Sequence, residues 1–172
     1  QENHRFRHLS TADGLSQGSV IAIAQDQKGL LWFATRDGLN TYDGNQFTVF
    51  RNDPKDSTTI SNNDVLEILT DQYGDLWVGT YNGLNRYSYS QGRFYRFYND
   101  KNDPTSLANN SVWAIHEMDN GEIWVGTGGG LTIYKDGKSF RVQHDPADDK
   151  SLSGNYVVEI FQDSRDDIWI GT

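Results

Sequence analysis

Glu67 and Glu159 are the two carboxylates of this 172-residue chain whose spacing best suits acid–base chemistry. Each stands two residues after a valine that recurs at a fixed spacing, so we expect both on equivalent innermost strands, facing a central channel. A pair of carboxylates can act as acid and base on a glycosidic bond. Ala22 and Ala114 hold the same position in the other repeats. The repeat therefore needs no charge there, and a solvated pair and a catalytic pair both stay open.

The other reactive side chains give weaker patterns. The histidines His4, His8, His116 and His144 are scattered, without metal-ligand spacing or a neighbouring nucleophile. The chain has no cysteine, which removes thiol catalysis, thiolate metal sites and disulfides together. Turns with one Asp and one Gly offer too few oxygen ligands for calcium. We therefore expect no metal and no other cofactor.

Four further residues are candidates for ligand binding. Arg36, Tyr81 and Asn82 lie in equivalent Gly-containing turns and offer a forked donor, a stacking ring and an amide. Trp113 stands where the other repeats have Ile21, Leu66 and Val158, and a departure in one copy is where function tends to reside. Exposed turn residues and a core-filling tryptophan are the structural alternatives.

A repeat positions all of these residues. The segments Trp32–Thr35, Trp77–Thr80, Trp124–Thr127 and Trp169–Thr172 share one pattern, with tryptophan spacings of 45, 47 and 45 residues. Val20, Val65, Val112 and Val157 recur at the same spacings. Each unit predicts an apolar strand, a tight turn, a strand through the tryptophan, a Gly-centred turn, and two more strands. Four strands per 40 to 50 residues indicate a blade of a β-propeller.

The predicted fold is thus all-β, with about 3.75 blades of four antiparallel strands forming a single segment over residues 1–172. A fourth strand of a preceding blade is expected at about 4–10, blades at about 19–52, 64–99 and 111–144, and a partial blade at 156–172, giving 15 strands. We expect continuation into a larger propeller past Thr172, although a closed four-bladed ring would need only one more strand. An open array leaves strand edges, so we also expect self-association.

The repeated residues themselves have structural roles. The blade tryptophan is expected to fill the space between adjacent sheets, and the Gly or Ala two residues later to admit the neighbouring blade. Asp26, Asp71 and Asp163 are expected to accept hydrogen bonds from the N–H groups of their own turns.

Charge and hydropathy exclude several classes of function. The formal net charge is −9, which opposes binding to nucleic acid or to an anionic membrane surface. The sequence contains no run of about 18 apolar residues and no basic-then-apolar segment, so we expect neither a bilayer-spanning segment nor a signal peptide within it.

The blocks Asp71–Thr80 and Asn82–Tyr87 resemble the two-component regulator propeller repeat, and the opening Arg5–Ser10 with Asp13–Ser16 is similar to the start of such regions. The resemblance implies the periplasmic sensor region of a hybrid two-component histidine kinase that recognises oligosaccharides and controls glycan-utilisation genes, commonly as a dimer. It implies kinase activity and a transmembrane helix only in segments that this sequence lacks. It transfers no binding residue, because the repeated motif is scaffold.

The resulting prediction is a ligand-sensing propeller segment without catalysis in this chain. A carbohydrate-active propeller enzyme, a lyase or glycosidase using Glu67 and Glu159, is the first alternative. A protein-binding propeller, using the aromatic outer strands of the second blade, is another.

Overall fold

The computed structural model describes residues 5–172, which form consecutive antiparallel β-sheets preceded by a short 3₁₀ turn at Thr11–Asp13. In each sheet the strands pair in chain order, β1-β2-β3-β4, β5-β6-β7-β8, β9-β10-β11-β12 and β13-β14. These sheets are blades 1 to 4. The strands are β1 (Val20–Gln25), β2 (Leu31–Thr35), β3 (Gly38–Tyr42), β4 (Phe47–Phe50), β5 (Val65–Thr70), β6 (Leu76–Thr80), β7 (Gly83–Ser88), β8 (Arg93–Phe97), β9 (Val112–Glu117), β10 (Ile123–Thr127), β11 (Gly130–Lys135), β12 (Lys138–Val142), β13 (Glu159–Gln162) and β14 (Ile168–Gly171).

The turn between the first two strands of a blade is built around its aspartate. Asp26 Oδ1 accepts hydrogen bonds from the backbone N–H groups of Lys28 and Leu30, at 2.9 and 3.0 Å. Asp71 accepts the equivalent pair from Tyr73 and Asp75. The predicted self-capping of these turns is confirmed, and it fixes the start of each second strand.

The turn between the second and third strands of a blade is hydrogen-bonded to the connection that leads into the following blade. Gly38 has φ of +115°, and a Cβ there would lie 2.6 Å from the Phe50 carbonyl oxygen, so glycine is required. Its N–H donates to the Asn63 carbonyl at 2.8 Å, in the connection that leads into blade 2. Gly83 and Gly130 make the same bond to the next connection.

Adjacent blades pack through their innermost strands, with β1 against β5, β5 against β9 and β9 against β13. A Cβ on Gly79 would lie 2.6 Å from Val112 Cγ1, and one on Gly126 would lie 2.8 Å from Val157 Cγ1. The small residue of each Trp-x-Gly-Thr block therefore admits the valine of the next blade, as predicted.

The blade tryptophans fill the spaces between sheets where a neighbouring sheet covers them. Trp32 is 1% exposed and packs against Phe50 of its own blade and Tyr87 of blade 2. Trp77 packs in the same way against Tyr134 of blade 3. The predicted packing role is confirmed for both, whereas Trp169 in blade 4 is 60% exposed.

Arginines on two fourth strands hold the long connections in place. Arg96 donates to the Thr59 and Asp56 carbonyls, each at 2.7 Å. Arg141 donates in the same manner to the carbonyl groups of Ser106 and Asp103, at 2.9 and 2.7 Å. Each connection is thereby fixed against the blade that it precedes.

The predicted strand at about 4–10 needs correction. His4 lies outside the described residues, residues 5–10 form no strand, and Phe6 is 85% exposed. A strand requires a hydrogen-bonded partner, and the described part of blade 4 ends with two strands, so it offers no third strand for residues 5–10 to join. Residues 5–172 therefore contain 14 strands, one fewer than the 15 expected for the chain.

Candidate ligand-binding site

The first strand of each complete blade contains a β-bulge. In blade 3, Val112 pairs with Thr127 and Ala114 with Gly126, which leaves Trp113 as the extra residue. The same register shift makes Ile21 and Leu66 the bulged residues of blades 1 and 2. A bulge re-aims its side chain out of the regular alternation of the strand. Trp113, which departs from the repeat in sequence, thus also lies at the bulged position of its strand.

Trp113 lies between two tyrosines from the flanking blades. Its ring centroid is 5.9 Å from that of Tyr81, with the planes at 87°, and 5.5 Å from that of Tyr156, with the planes at 52°. Tyr81 is 54% exposed and Tyr156 is 52% exposed. These three residues, which we call the aromatic cluster, present rings from three consecutive blades to solvent.

The environment of Trp113 differs from that of a core tryptophan. Among the described residues, it belongs to none of the three buried hydrophobic clusters, and its side chain is only partly buried. Its indole N–H is out of contact with solvent and finds no acceptor in residues 5–172. An unmade hydrogen bond of this kind costs about 1–3 kcal/mol. Core filling therefore does not explain a tryptophan at this bulge.

Polar groups surround the Tyr81 side of the cluster. The Tyr81 carbonyl accepts from Ser111 Oγ at 3.3 Å, and the Tyr81 N–H donates to the Asp64 carbonyl at 3.0 Å. Asp64 Oδ1 is buried and has no hydrogen-bond donor within the described part of the chain. Aromatic rings with a few polar groups beside them are the usual composition of a small-molecule binding site.

The structure brings together two of the four residues nominated from sequence. Tyr81 and Trp113 contact each other, and Asn82 is the exposed neighbour of Tyr81, with its backbone N–H donating to Thr80 Oγ1 at 3.2 Å. Arg36 is exposed on blade 1, where its backbone N–H donates to Gln17 Oε1 at 3.3 Å. In the described residues no contact joins Arg36 to the aromatic cluster.

Tyr156 is the functional candidate that sequence reasoning missed. It precedes Val157 in the repeat, where the other units have Ser19, Asp64 and Ser111. The comparison between repeats that singles out Trp113 therefore also singles out Tyr156, and the signal was available in the sequence.

The glutamate pair lies on inner strands, with each carboxylate bonded to its own backbone. Glu67 Oε1 accepts from the Ile68 N–H at 2.9 Å, and Glu159 Oε1 accepts from the Ile160 N–H at 3.2 Å. Burial raises the pKa of Glu67, and the negative charge of Glu159 adds to that rise although the Ile68 N–H opposes it. The charge of Glu159 therefore acts on Glu67, and the catalytic use of the pair stays a prediction.

Two features are absent from residues 5–172. No group of three or more His, Asp or Glu side chains is arranged to hold a metal ion. Within the same residues, no helix has the length and apolar character needed to cross a membrane.

The fold is a β-propeller, because four-stranded antiparallel sheets follow one another with their first strands packed side by side. The exposed aromatic cluster at the inner strands gives this propeller a candidate binding face. The chain belongs to the two-component regulator propeller family, whose sequence profile matches residues 14–37, 59–82, 106–129 and 151–172. These segments include every Trp-x-Gly-Thr block and its variants.

The chain is similar to extracellular domains of hybrid two-component systems. It is 28% identical, with a TM-score of 0.75, to the extracellular domain of the hybrid two-component system BT3049 of B. thetaiotaomicron, covering 96% of this chain and 29% of that one. For the corresponding domain of BT4673 from the same organism, the identity is 26%, the TM-score 0.77 and the coverage 95% and 22%. A curated relative, Histidine kinase P4 of Formosa agariphila, is 56% identical over 59 residues, which are 34% of this chain and 4% of that protein.

The chain thus spans less than a third of each of these proteins. A more distant likeness, to virginiamycin B lyase of Staphylococcus aureus, has 18% identity and a TM-score of 0.60, covering 86% of this chain and 47% of the lyase. At that identity the likeness shows the propeller fold alone.

Proposed function

We propose that this chain is a ligand-sensing propeller segment of a hybrid two-component sensor kinase, that it lies on the periplasmic side of the inner membrane, and that it recognises an oligosaccharide. The observation that carries the proposal is the aromatic cluster. Trp113 and Tyr156 each depart from the repeat in one copy, and Trp113 lies between Tyr156 and Tyr81. The scaffold requires neither aromatic residue at these positions.

The chemistry of the cluster fits a sugar. Sugar rings present C–H faces that pack on exposed aromatic rings, while their hydroxyl groups need nearby hydrogen-bonding partners. Asp64, Ser111 and Asn82 are the polar residues next to the cluster. Arg36, one blade away, would meet only a ligand long enough to extend across blade 2.

In this proposal the chain binds its ligand without converting it. The likeness to extracellular domains of two-component systems supports a sensor role, in which occupancy is passed to a kinase and controls genes for glycan use. Glu67 and Glu159 then serve as polar residues of the inner strands.

Isothermal titration calorimetry of the purified chain against a panel of neutral and acidic oligosaccharides tests the proposal, with chromatography of each mixture for products. We expect saturable binding of at least one sugar, no products, and at least a tenfold loss of affinity in Tyr81→Ala and in Trp113→Leu, since leucine is the natural residue of blade 2. Phe140→Ala removes a 47% exposed aromatic side chain from β12, the fourth strand of blade 3, and is the matched control.

Three outcomes would overturn the proposal. Absence of binding to every sugar would favour a protein partner, and product formation abolished by Glu67→Gln would favour the enzyme. Equal affinities in Tyr81→Ala, Trp113→Leu and Phe140→Ala would exclude the aromatic cluster as the site.

A further inference from the structure

Blade 2 has a longer hairpin between its third and fourth strands than its neighbours. Tyr87 pairs with Phe94 across this hairpin, enclosing six residues, whereas the equivalent pairs Tyr42 with Phe47 and Tyr134 with Ser139 enclose four. The two additional residues account for the tryptophan spacing of 47 rather than 45. The propeller scaffold does not need this extension, because blades 1 and 3 close without it.

The extended hairpin reaches over the boundary to blade 1. The Tyr89 hydroxyl donates to Asp26 Oδ2 at 3.0 Å, and the Tyr89 ring packs edge-on against Tyr87 with centroids 5.0 Å apart. Burial, together with the bond to Asp26, raises the pKa of Tyr89, so its hydroxyl stays a donor at physiological pH. The hairpin is thereby anchored, and it forms one wall of a cleft of about 550 Å³ between the first turns of blades 1 and 2.

Two cations line this cleft, and both are held against aromatic rings. Lys28 Nζ lies 5.1 Å from the centroid of Tyr89, and the Arg86 guanidinium lies 5.7 Å from that of Trp77 and 6.0 Å from that of Tyr95. Contacts of this kind fix the position of a cation without neutralising it.

The cleft is locally basic on an acidic protein. Asp75 is the single carboxylate that lines it, at 3.6 Å from Arg86, so the two cations leave the lining with an excess of positive charge although the whole chain has a formal net charge of −9. The Lys28 ammonium and the Arg86 guanidinium donate no hydrogen bond to another residue of the described chain, although Arg86 forms an ion pair with Asp75. Their N–H groups are therefore available to an anion.

The remaining lining residues suit a sugar ring. Tyr73, 78% exposed, and Tyr95 contribute rings, while Ser88, Ser90 and Gln91 contribute hydroxyl and amide groups. A carboxylate accepts from lysine and from a forked guanidinium through charge-assisted hydrogen bonds. Rings, neutral polar groups and two cations whose side chains make no hydrogen bond in the described chain are what a sugar bearing a carboxylate requires.

We propose that this cleft is a second binding site, specific for a saccharide that carries a carboxylate, with Lys28 and Arg86 binding the carboxylate and Tyr73 packing on the ring. The site is separate from the aromatic cluster, because Asp75 and Tyr81 flank opposite ends of β6. One chain would then contact two parts of a ligand, or two ligands, on its two faces.

Titration of the whole chain with digalacturonic acid, and with the neutral disaccharide galactobiose as the comparison, tests this site by NMR or calorimetry. We expect saturable binding of the acid, at least tenfold weaker binding of the neutral sugar, and a loss of at least tenfold in affinity in Lys28→Ala and Tyr73→Ala. Lys55→Ala removes an exposed lysine that does not line the cleft and controls for net charge. Circular dichroism establishes that each surface variant is folded.

The outcomes separate this site from the aromatic cluster. Retained binding of digalacturonic acid in Tyr81→Ala supports the second site, whether or not neutral oligosaccharides bind elsewhere. Three results would each overturn the second site. The first is an equal affinity in Lys28→Ala and Lys55→Ala, and the second is an equal affinity for the acid and the neutral sugar. The third is that Tyr81→Ala loses acid binding while Lys28→Ala and Tyr73→Ala keep it. The last result would leave the proposed function intact.

Discussion

Blades 1 and 4 contain the same second-strand motif in opposite surroundings. Trp32 is 1% exposed because blade 2 covers it, whereas Trp169 is 60% exposed on the two-stranded sheet of blade 4. Both indoles donate to the aspartate of their own turn, Asp26 at 3.0 Å and Asp163 at 3.2 Å. The hydrogen bond between tryptophan and aspartate therefore forms whether or not a neighbouring sheet is present. The tryptophan contributes to a hydrophobic core only where a neighbouring sheet covers it.

The largest difference is expected from removing the two indoles. Trp32→Ala should lower the free energy of unfolding by about 3–5 kcal/mol, since it empties a fully buried space between two sheets. Trp169→Ala should cost much less, because most of its ring is already in water. Urea denaturation followed by circular dichroism measures both, and similar losses would contradict the comparison.

A smaller difference is expected from the aspartates. Asp26 accepts from Lys28 N–H, Leu30 N–H, the Trp32 indole and the Tyr89 hydroxyl, and its carboxylate is nearly buried. Asp26→Asn places an NH₂ group against these donors and should cost about 1–3 kcal/mol. Asp163→Asn should cost less, because the exposed side of blade 4 lets water replace the lost bonds. Denaturation of both variants in parallel tests the order.

The same carboxylate gives a pH dependence. Burial would raise the pKa of Asp26, but the hydrogen bonds from Trp32, Leu30, Tyr89 and Lys28 outweigh it and hold that pKa below its usual value. Because the pKa of Asp26 is lower in the folded state, its carboxylate stabilises the fold fully above the unfolded-state pKa of about 3.9. This contribution to stability is lost as the pH falls through the folded-state pKa. The gap in stability between wild type and Asp26→Asn should thus be full at pH 7 and narrow below about pH 4. A gap that widened with acid would contradict this assignment.

A modest effect is expected at the glycine of the motif. A Cβ on Gly79 would lie 2.6 Å from Val112 Cγ1, whereas on Gly171 its nearest contact would be 3.3 Å, to Glu159 Cβ of its own sheet. Gly79→Ala should cost about 1 kcal/mol, at the low end of overpacking, because Ala34 is accommodated at the same position of blade 1. Gly171→Ala should be close to neutral, and thermal denaturation compares the two.

The weakest effect is expected from association of chains. Phe161, Ile168 and Trp169 are 55%, 41% and 60% exposed, and β14 has no partner on its outer edge among the described residues. We expect a second copy to cover this edge. Light scattering should show an average mass that rises with concentration, less steeply in Trp169→Ser. A monodisperse monomer at every concentration would contradict it.

Much of the fold could be predicted because the same pattern of strand and turn residues occurs in every copy of the repeat. Gly38, Gly83 and Gly130 mark equivalent turns, and Asp26 and Asp71 cap equivalent hairpins, so each assignment supports the others. The strand at about 4–10 was wrong because a phenylalanine pattern cannot show whether a partner strand is present. Arg96 and Arg141 were missed because their acceptors are carbonyl groups some 40 residues earlier.

The candidate site was predicted in part for a similar reason. Trp113 and Tyr81 could be nominated because each differs from the other copies at its position, but their contact depends on how blade 3 packs against blade 2. Arg36 is equivalent to Tyr81 in sequence, but within the described residues its backbone hydrogen bond is to Gln17 and not to the cluster. The cleft beside the blade 2 hairpin could not be predicted, because its only trace in the sequence is the tryptophan spacing of 47 rather than 45 residues.

The sequence by itself determined the period, the four-stranded unit, the turn residues and the two-component regulator propeller family, because these depend on interactions within one repeat and recur in every copy. Only the tertiary structure decided which tryptophans are buried, that Trp113 occupies a bulge between Tyr81 and Tyr156, and that Lys28 and Arg86 line one cleft. Those properties arise between blades, where the distance in space is unrelated to the distance along the chain.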